Sequence, residues 1–323
     1  MPILLLAMVT AAAADAGPPL SNTYAYMNLT RFDPVSQPLA RCMDGTMSGL
    51  YALPAPAGSE QSEWWVLYLA SGGWCSDLAS CGARCNHGCD GPAGSKGCTN
   101  CTGGLGSSNP WGPQVLQTGI FDTSPLHAPL SAANKFFLPY CTSDGHMGSR
   151  APSSETFGWQ FRGQHTVRAA LEVMVKRHGL GSKPGHRLLF GGGSAGSRGG
   201  MATLDYVGPM LAELGAVGVT VLGFLDSAYW IDIRPDAGAT PPSTFAGVGN
   251  LTRAAFALAN ITGRAPPDCR AAYPGAEEWK CALGQYRFPF LKVRYMAVAS
   301  QDDAWQLAEN IGHAPKTAGT CVR

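Results

Sequence analysis

LLFGGGSAGSRGGMATLDYV, residues 188–207, satisfies two motifs at once. Gly191, Gly193 and Gly196 fit G-x-G-x-x-G, a loop that cradles a dinucleotide pyrophosphate. Gly192, Ser194 and Gly196 fit G-x-S-x-G, an elbow that aims a nucleophilic serine. Both motifs sit on a tight turn from a strand into a helix, so both readings predict an α/β chain. The surroundings separate them. A dinucleotide site wants an acid about 20 residues past the glycines to hold the ribose. Here the next predicted strand ends at Asp226, 30 residues past Gly196. A lone glycine pattern also carries little weight in a chain with 41 glycines. An elbow needs small neighbours because its backbone is strained, and Gly192, Gly193, Ala195 and Gly196 meet that need. The serine then opens the helix, where unpaired amides and the helix dipole favour developing negative charge. The Ala195 amide is placed to be one oxyanion donor.

Outward from the elbow, strands and helices alternate. Residues 186–190 and 217–226 read as strands around a helix at 196–214. Upstream, the aromatic and β-branched run 63–70 (EWWVLYLA) reads as a buried strand, and 135–141 as the next. Within 157–178, Val167, Leu171, Met174 and Val175 fall on one helical stripe, with stop signals at Gly179 and Gly181. Residues 254–260 lie in a helical segment, 293–300 read as a strand, and a helix starts near Ala304. Residues 75–112 are rich in glycine and cysteine, lack periodicity, and read as a disulfide-pinned loop region. The alternation predicts an α/β-hydrolase-like fold, a mostly parallel sheet with helices on both faces. No linker interrupts residues 17–323, which we read as one domain.

Composition narrows the setting. The 323 residues are 45% hydrophobic and 14% charged, with a formal net charge of +1. No basic stripe is present, which argues against a nucleic-acid partner. The apolar run Ile3–Ala14 leads into Ala14-Asp15-Ala16, a cleavage-type triplet, although a positive n-region is missing. Twelve apolar residues are too few for a bilayer, which takes about 20. Residues 1–16 therefore read as a secretory signal peptide, and stable membrane insertion is not expected. Eleven cysteines and four N-x-[ST] triplets, at Asn28, Asn100, Asn250 and Asn260, agree with a secreted, disulfide-bonded glycoprotein. An odd cysteine count leaves one thiol without a partner inside the chain.

A second oxyanion donor is expected from a glycine-bearing loop after an earlier strand, and Gly72-Gly73-Trp74 follows the strand at 63–70. The acid should follow the serine at the end of a later strand, where Asp226, Asp302 and Asp303 are candidates. With these pieces in place the chain resembles the pectin acetylesterase family, which includes the Notum carboxylesterases. The matching stretches are Cys42-Met-Asp-Gly45, Gly72-Gly-Trp-Cys75, Pro139-Tyr-Cys-Thr-Ser-Asp144 and Phe161-Arg-Gly-Gln164. They continue with Gly193-Ser-Ala-Gly196, Asp226-Ser-Ala-Tyr-Trp-Ile-Asp232, Glu277-Glu-Trp-Lys-Cys281 and Asp303-Ala-Trp-Gln-Leu307. The resemblance implies a secreted serine esterase with Ser194 as nucleophile and Asp303 as triad acid. It implies an oxyanion hole from the amides of Gly73, Trp74 and Ala195, and a structural or site-shaping part for Asp226. It also implies disulfides Cys42–Cys141, Cys75–Cys81 and Cys269–Cys281. Cys85, Cys89, Cys98 and Cys101 then remain in an apparent insertion, where two local disulfides are favoured over a zinc site with His87.

The pattern breaks at the base. A triad needs a histidine to take the serine proton, and in this family it lies well beyond the acid. The chain ends 20 residues past Asp303, and His313 is the one histidine in that stretch. A helix continuing from 304 would carry His313 about 15 Å along its axis, away from the acid. His146 could line the site, without evidence that it replaces the base. The missing histidine and the unpaired Cys321 share one explanation, a chain truncated at its C-terminus.

The expected function is hydrolysis of O-acyl esters, acetyl above all, on a cell-wall or extracellular polysaccharide. No metal or organic cofactor is needed. The alternatives are a non-catalytic carbohydrate- or lipid-binding relative and a Notum-like protein deacylase.

Overall fold

The computed structural model describes residues 6–7, 25–85, 92–93, 101–124, 130–233, 247–300 and 303–312. Nine strands occur among them: β1 (Leu6–Ala7), β2 (Ala25–Arg31), β3 (Gly49–Leu53), β4 (Trp64–Leu69), β5 (Gln114–Gln117), β6 (Asn134–Leu138), β7 (Arg187–Gly193), β8 (Thr220–Asp226) and β9 (Tyr295–Val298). They form one sheet in the order β1-β9-β8-β7-β4-β6-β3-β2-β5. From β1 to β6 every neighbouring pair is parallel, and β3, β2 and β5 extend the sheet antiparallel. The mostly parallel sheet expected from the alternation is thus present.

The helices are α1 (Leu78–Cys85), α2 (Gly163–His178), α3 (Ala195–Glu213), α4 (Val248–Ala259), α5 (Pro267–Ala272) and α6 (Gly284–Arg287). In α2 the stripe predicted from spacing is real: Val167, Leu171 and Met174 are fully buried. The helix stops where glycine permits it, with Gly179 in the left-handed region at φ +83°. The aromatic strand β4 lies between β6 and β7, and Trp65, Leu67 and Leu69 face the main core with Phe136, Leu188 and Phe190.

Two features depart from the sequence reading. The 75–112 stretch contains a helix, α1, and not loop alone. Its start is a reciprocal cap: the Ser80 amide donates to Asp77 Oδ1 at 2.8 Å, and the Asp77 amide donates to Ser80 Oγ at 3.1 Å. Disulfides Cys75–Cys81 and Cys85–Cys101 tie both ends of α1, so covalent links supply what its short apolar pattern lacks. Strands β2, β3 and β5 were not anticipated. Their strand character comes from pairing with one another and, for β3, with β6.

The three family-implied disulfides, Cys42–Cys141, Cys75–Cys81 and Cys269–Cys281, are all present. Cys85 pairs with Cys101, which excludes that pair from a zinc site; His87, Cys89 and Cys98 lie outside the described residues, as does Cys321.

One ion pair inside the fold tests how electrostatics hold α3. Arg287 is fully buried and reaches Asp205 at 3.6 Å, while Asp205 Oδ1 accepts the amides of Lys292 and Val293 at 3.0 Å each. Asp205→Ala strands the guanidinium without a counter-charge. We expect a loss of about 3–5 kcal/mol in urea unfolding. A loss below about 1 kcal/mol would show that Arg287 does not need Asp205.

Candidate active site

Strand β7 ends at Gly193 and α3 begins at Ala195, leaving Ser194 alone at the turn. Its backbone is strained, with φ +50° and ψ −115°. The Ser194 amide donates to Asp226 O at 2.9 Å, which anchors the turn to the end of β8. Small residues are required on both sides. A Cβ at Gly192 would lie 2.2 Å from Leu69 O, and one at Gly196 would lie 1.9 Å from the same oxygen. The elbow therefore rests directly on the end of β4.

The loop leaving β4 is built around two left-handed glycines, Gly72 (φ +150°) and Gly73 (φ +64°). Their carbonyls are tied back. Tyr140 Oη donates to Gly73 O at 2.6 Å and accepts the Gly145 amide at 2.6 Å. The Arg84 guanidinium donates to Gly72 O, and its Nε donates to Ser143 Oγ at 3.0 Å. Ser71 Oγ donates to Gly193 O at 2.8 Å, joining loop and elbow. Helix α1, fastened by its disulfides, thus delivers Arg84 as a brace under the loop.

A cavity of about 430 Å³ opens at this junction. It is lined by Ser194 and Ala195 of the elbow and by Gly73 and Trp74 of the loop, so four of the five predicted site residues meet there. Trp230 and Trp305 supply aromatic walls, and Arg84 and Arg198 supply charge. Sequence reasoning missed Arg198. Its position four residues after Ser194, on the same helix face, was the available signal.

Asp303 follows β9, two strands from β7 across the sheet, and does not line the cavity. Its Oδ1 accepts the amides of Trp305 and Gln306 at 3.0 Å each, capping a wide helical turn, Gln306–Ile311. That turn ends at Gly312 in the left-handed region (φ +86°), so the helix expected to carry His313 away from the acid stops just before it. Asp226 Oδ1 accepts Ser227 Oγ at 3.0 Å and is also outside the cavity lining.

His146 does not line the site. It is buried, its Nε2 lies 3.0 Å from Ala70 O, and its ring packs 4.6 Å from Tyr140. Its place is beneath the root of the Gly72–Gly73 loop. Burial pushes its pKa down to about 4 from an ordinary 6.5. The folded state therefore keeps it neutral while the unfolded chain takes up a proton, and its contribution to stability is lost as pH falls from 6.5 toward 4. Between pH 7 and 4.5, His146→Gln should lose about 2–3 kcal/mol less stability than the wild type. Parallel urea unfolding at the two pH values checks this, and equal losses would contradict it. Of the other histidines, His165, His178 and His186 are described and none lines the cavity; His87, His127 and His313 lie outside the described residues.

A parallel sheet whose central strand ends in a strained serine at a helix N-terminus defines the α/β-hydrolase class. The pectinacetylesterase family model matches residues 20–320, and the chain belongs to that family. Palmitoleoyl-protein carboxylesterase notum1 of Xenopus laevis is 29% identical over 275 residues, covering 84% of this chain and 51% of that protein. Palmitoleoyl-protein carboxylesterase NOTUM of Drosophila melanogaster is 29% identical over 284 residues, covering 85% of this chain and 38% of that protein. The chain spans about half the length of such relatives, or less. The solved structure of the Wnt deacylase Notum from Drosophila superposes with a TM-score of 0.69 at 27% identity, covering 84% of this chain and 71% of that one.

Proposed function

We propose that the chain is a secreted serine carboxylesterase that hydrolyses O-acyl esters, acetyl above all, of an extracellular or cell-wall polysaccharide. Ser194 at the elbow, facing a cavity shared with Gly73, Trp74 and Ala195, carries the reading. Ser194 Oγ attacks the ester carbonyl, and the amides of Gly73, Trp74 and Ala195 stabilise the oxyanion. The alcohol leaves, and water releases the acyl group from the serine. Asp303 orients the proton acceptor. None of the four described histidines lines the cavity, so the proton acceptor is not among them.

The family's description favours a short acyl group, acetyl. The relatives' names favour a second reading, removal of a palmitoleoyl group from a protein. Extracellular placement is supported by four disulfides among the described residues and by the apolar N-terminal run. No helix among the described residues is long and apolar enough to cross a membrane.

The test is a fluorophosphonate probe with peptide mass mapping, run beside a p-nitrophenyl ester series from acetate to palmitate and acetate release from acetylated polysaccharides. An adduct on the Ser194 peptide with falling rates beyond short chains supports the reading. Faster turnover of long chains favours the protein deacylase. No adduct and no hydrolysis would leave a binding protein on this scaffold.

A further inference from the structure

Tyr140 stands outside the cavity lining, yet it holds a peptide group that belongs to it. The side chain is only 3% exposed and packs under the loop that leaves β4. A Cβ added at Gly72 would lie 2.6 Å from Tyr140 Cδ1, so loop and ring are in direct contact. Tyr140 Oη accepts the Gly145 amide and donates to Gly73 O, both at 2.6 Å. Burial pushes the phenol above the ordinary tyrosine range, so the hydroxyl keeps its proton and stays a donor.

A trans peptide points its C=O and its N–H in opposite directions. Drawing Gly73 O down onto the buried Tyr140 therefore turns the Trp74 N–H the other way, toward the open side where the cavity lies. Among the described residues the Trp74 amide has no acceptor, and neither has the Gly73 amide. Glycine on the leading side of this peptide would let it turn if untethered, because glycine adopts many backbone conformations at little steric cost. The bonds also run head to tail, from the Gly145 N–H through the Tyr140 hydroxyl to the Gly73–Trp74 peptide. Each polarises the next, which makes the Trp74 N–H at the end a stronger donor. Arg84 adds support from the side. Its guanidinium donates to Gly72 O, the preceding carbonyl, and lies 5.9 Å from the centre of the Tyr140 ring.

We propose that Tyr140, with Arg84 beside it, is a positioning residue that aims the Trp74 amide into the cavity, at the oxyanion. Tyr140 touches no reacting atom and acts through that amide. The proposal rests on the reading of Ser194 as a nucleophile served by the Gly73–Trp74 loop.

Tyr140→Phe tests it, since the ring stays and one oxygen goes. The variant's crystal structure is solved beside the wild type, and kcat and KM are measured with p-nitrophenyl acetate. The Gly73–Trp74 peptide should be turned, or divided between two orientations. The kcat should fall about tenfold to a hundredfold, less than for outright loss of an oxyanion donor, with KM unchanged within about twofold. A residue that only packs would lower stability and leave the kcat of the folded enzyme alone. A peptide that keeps the wild-type orientation overturns the proposal, as does an unchanged kcat. If the wild type hydrolyses no ester, the esterase reading fails, and the orientation of the peptide by itself decides whether Tyr140 aims the amide. If Tyr140→Phe does not fold, Arg84→Met goes through the same measurements: a turned loop peptide with lower kcat supports the proposal, and an unmoved loop overturns it.

Discussion

Replacing Ser194 by alanine is expected to lower kcat/KM for acetyl esters by about 10³-fold or more while leaving the fold intact. The hydroxyl is the group that would bond to the acyl carbon, and among the described residues nothing else in the cavity lining offers a nucleophile in its place. Among the described residues the Ser194 hydroxyl makes no hydrogen bond, so its loss removes no structural contact. The backbone argues the same way. At φ +50° and ψ −115° a side chain is strained, and Ser194→Gly should raise stability by about 1 kcal/mol while also abolishing turnover. A gain in melting temperature with lost activity would mark a position kept strained for chemistry. If Ser194→Ala kept a substantial share of the hydrolysis, the nucleophile assignment would fall.

The largest expected effect on folding comes from Gly196→Ala. A Cβ there would lie 1.9 Å from Leu69 O, 2.5 Å from Leu69 C and 2.8 Å from Ala70 O, all backbone atoms. No rotamer change relieves a clash with main chain, so α3 must lift off the end of β4. That separation would open the core under Leu204 and break the Ser71–Gly193 link. We expect a loss of about 4 kcal/mol or more, at the severe end for single substitutions, with little soluble protein. Gly104→Ala is the control. Its Cβ meets only Pro110 Cγ at 3.8 Å, and its unfolding midpoint should match the wild type within about 0.5 kcal/mol. Wild-type-like unfolding of Gly196→Ala would mean that the elbow does not rest on β4 as described.

The elbow was legible because its signal is local. A strained turn needs small residues at fixed offsets, and those offsets are visible without knowing the fold. The α2 stripe and the strands at β4, β7 and β8 are local in the same sense, set by periodicities of 3.6 and 2. The Asp77-x-x-Ser80 cap of α1 was also on view, but the surrounding glycines and cysteines masked it. Strands β2, β3 and β5 were not readable, since antiparallel segments of this part of the sheet take strand form from the partners beside them.

The sequence by itself determined the parallel α/β plan, the serine turn and the residues Gly73, Trp74 and Ala195 around it. Local sterics suffice for the turn and periodicity for the plan, while the choice of Gly73 and Trp74 drew on the family resemblance. Only the tertiary structure decided that His146 is a buried neutral brace and that Asp303 caps a turn outside the cavity lining. It alone brought Trp74, Arg198 and Trp230, from three separate parts of the chain, into contact. Desolvation and charge pairing depend on which distant segments exclude water from a group, and no local pattern carries that information.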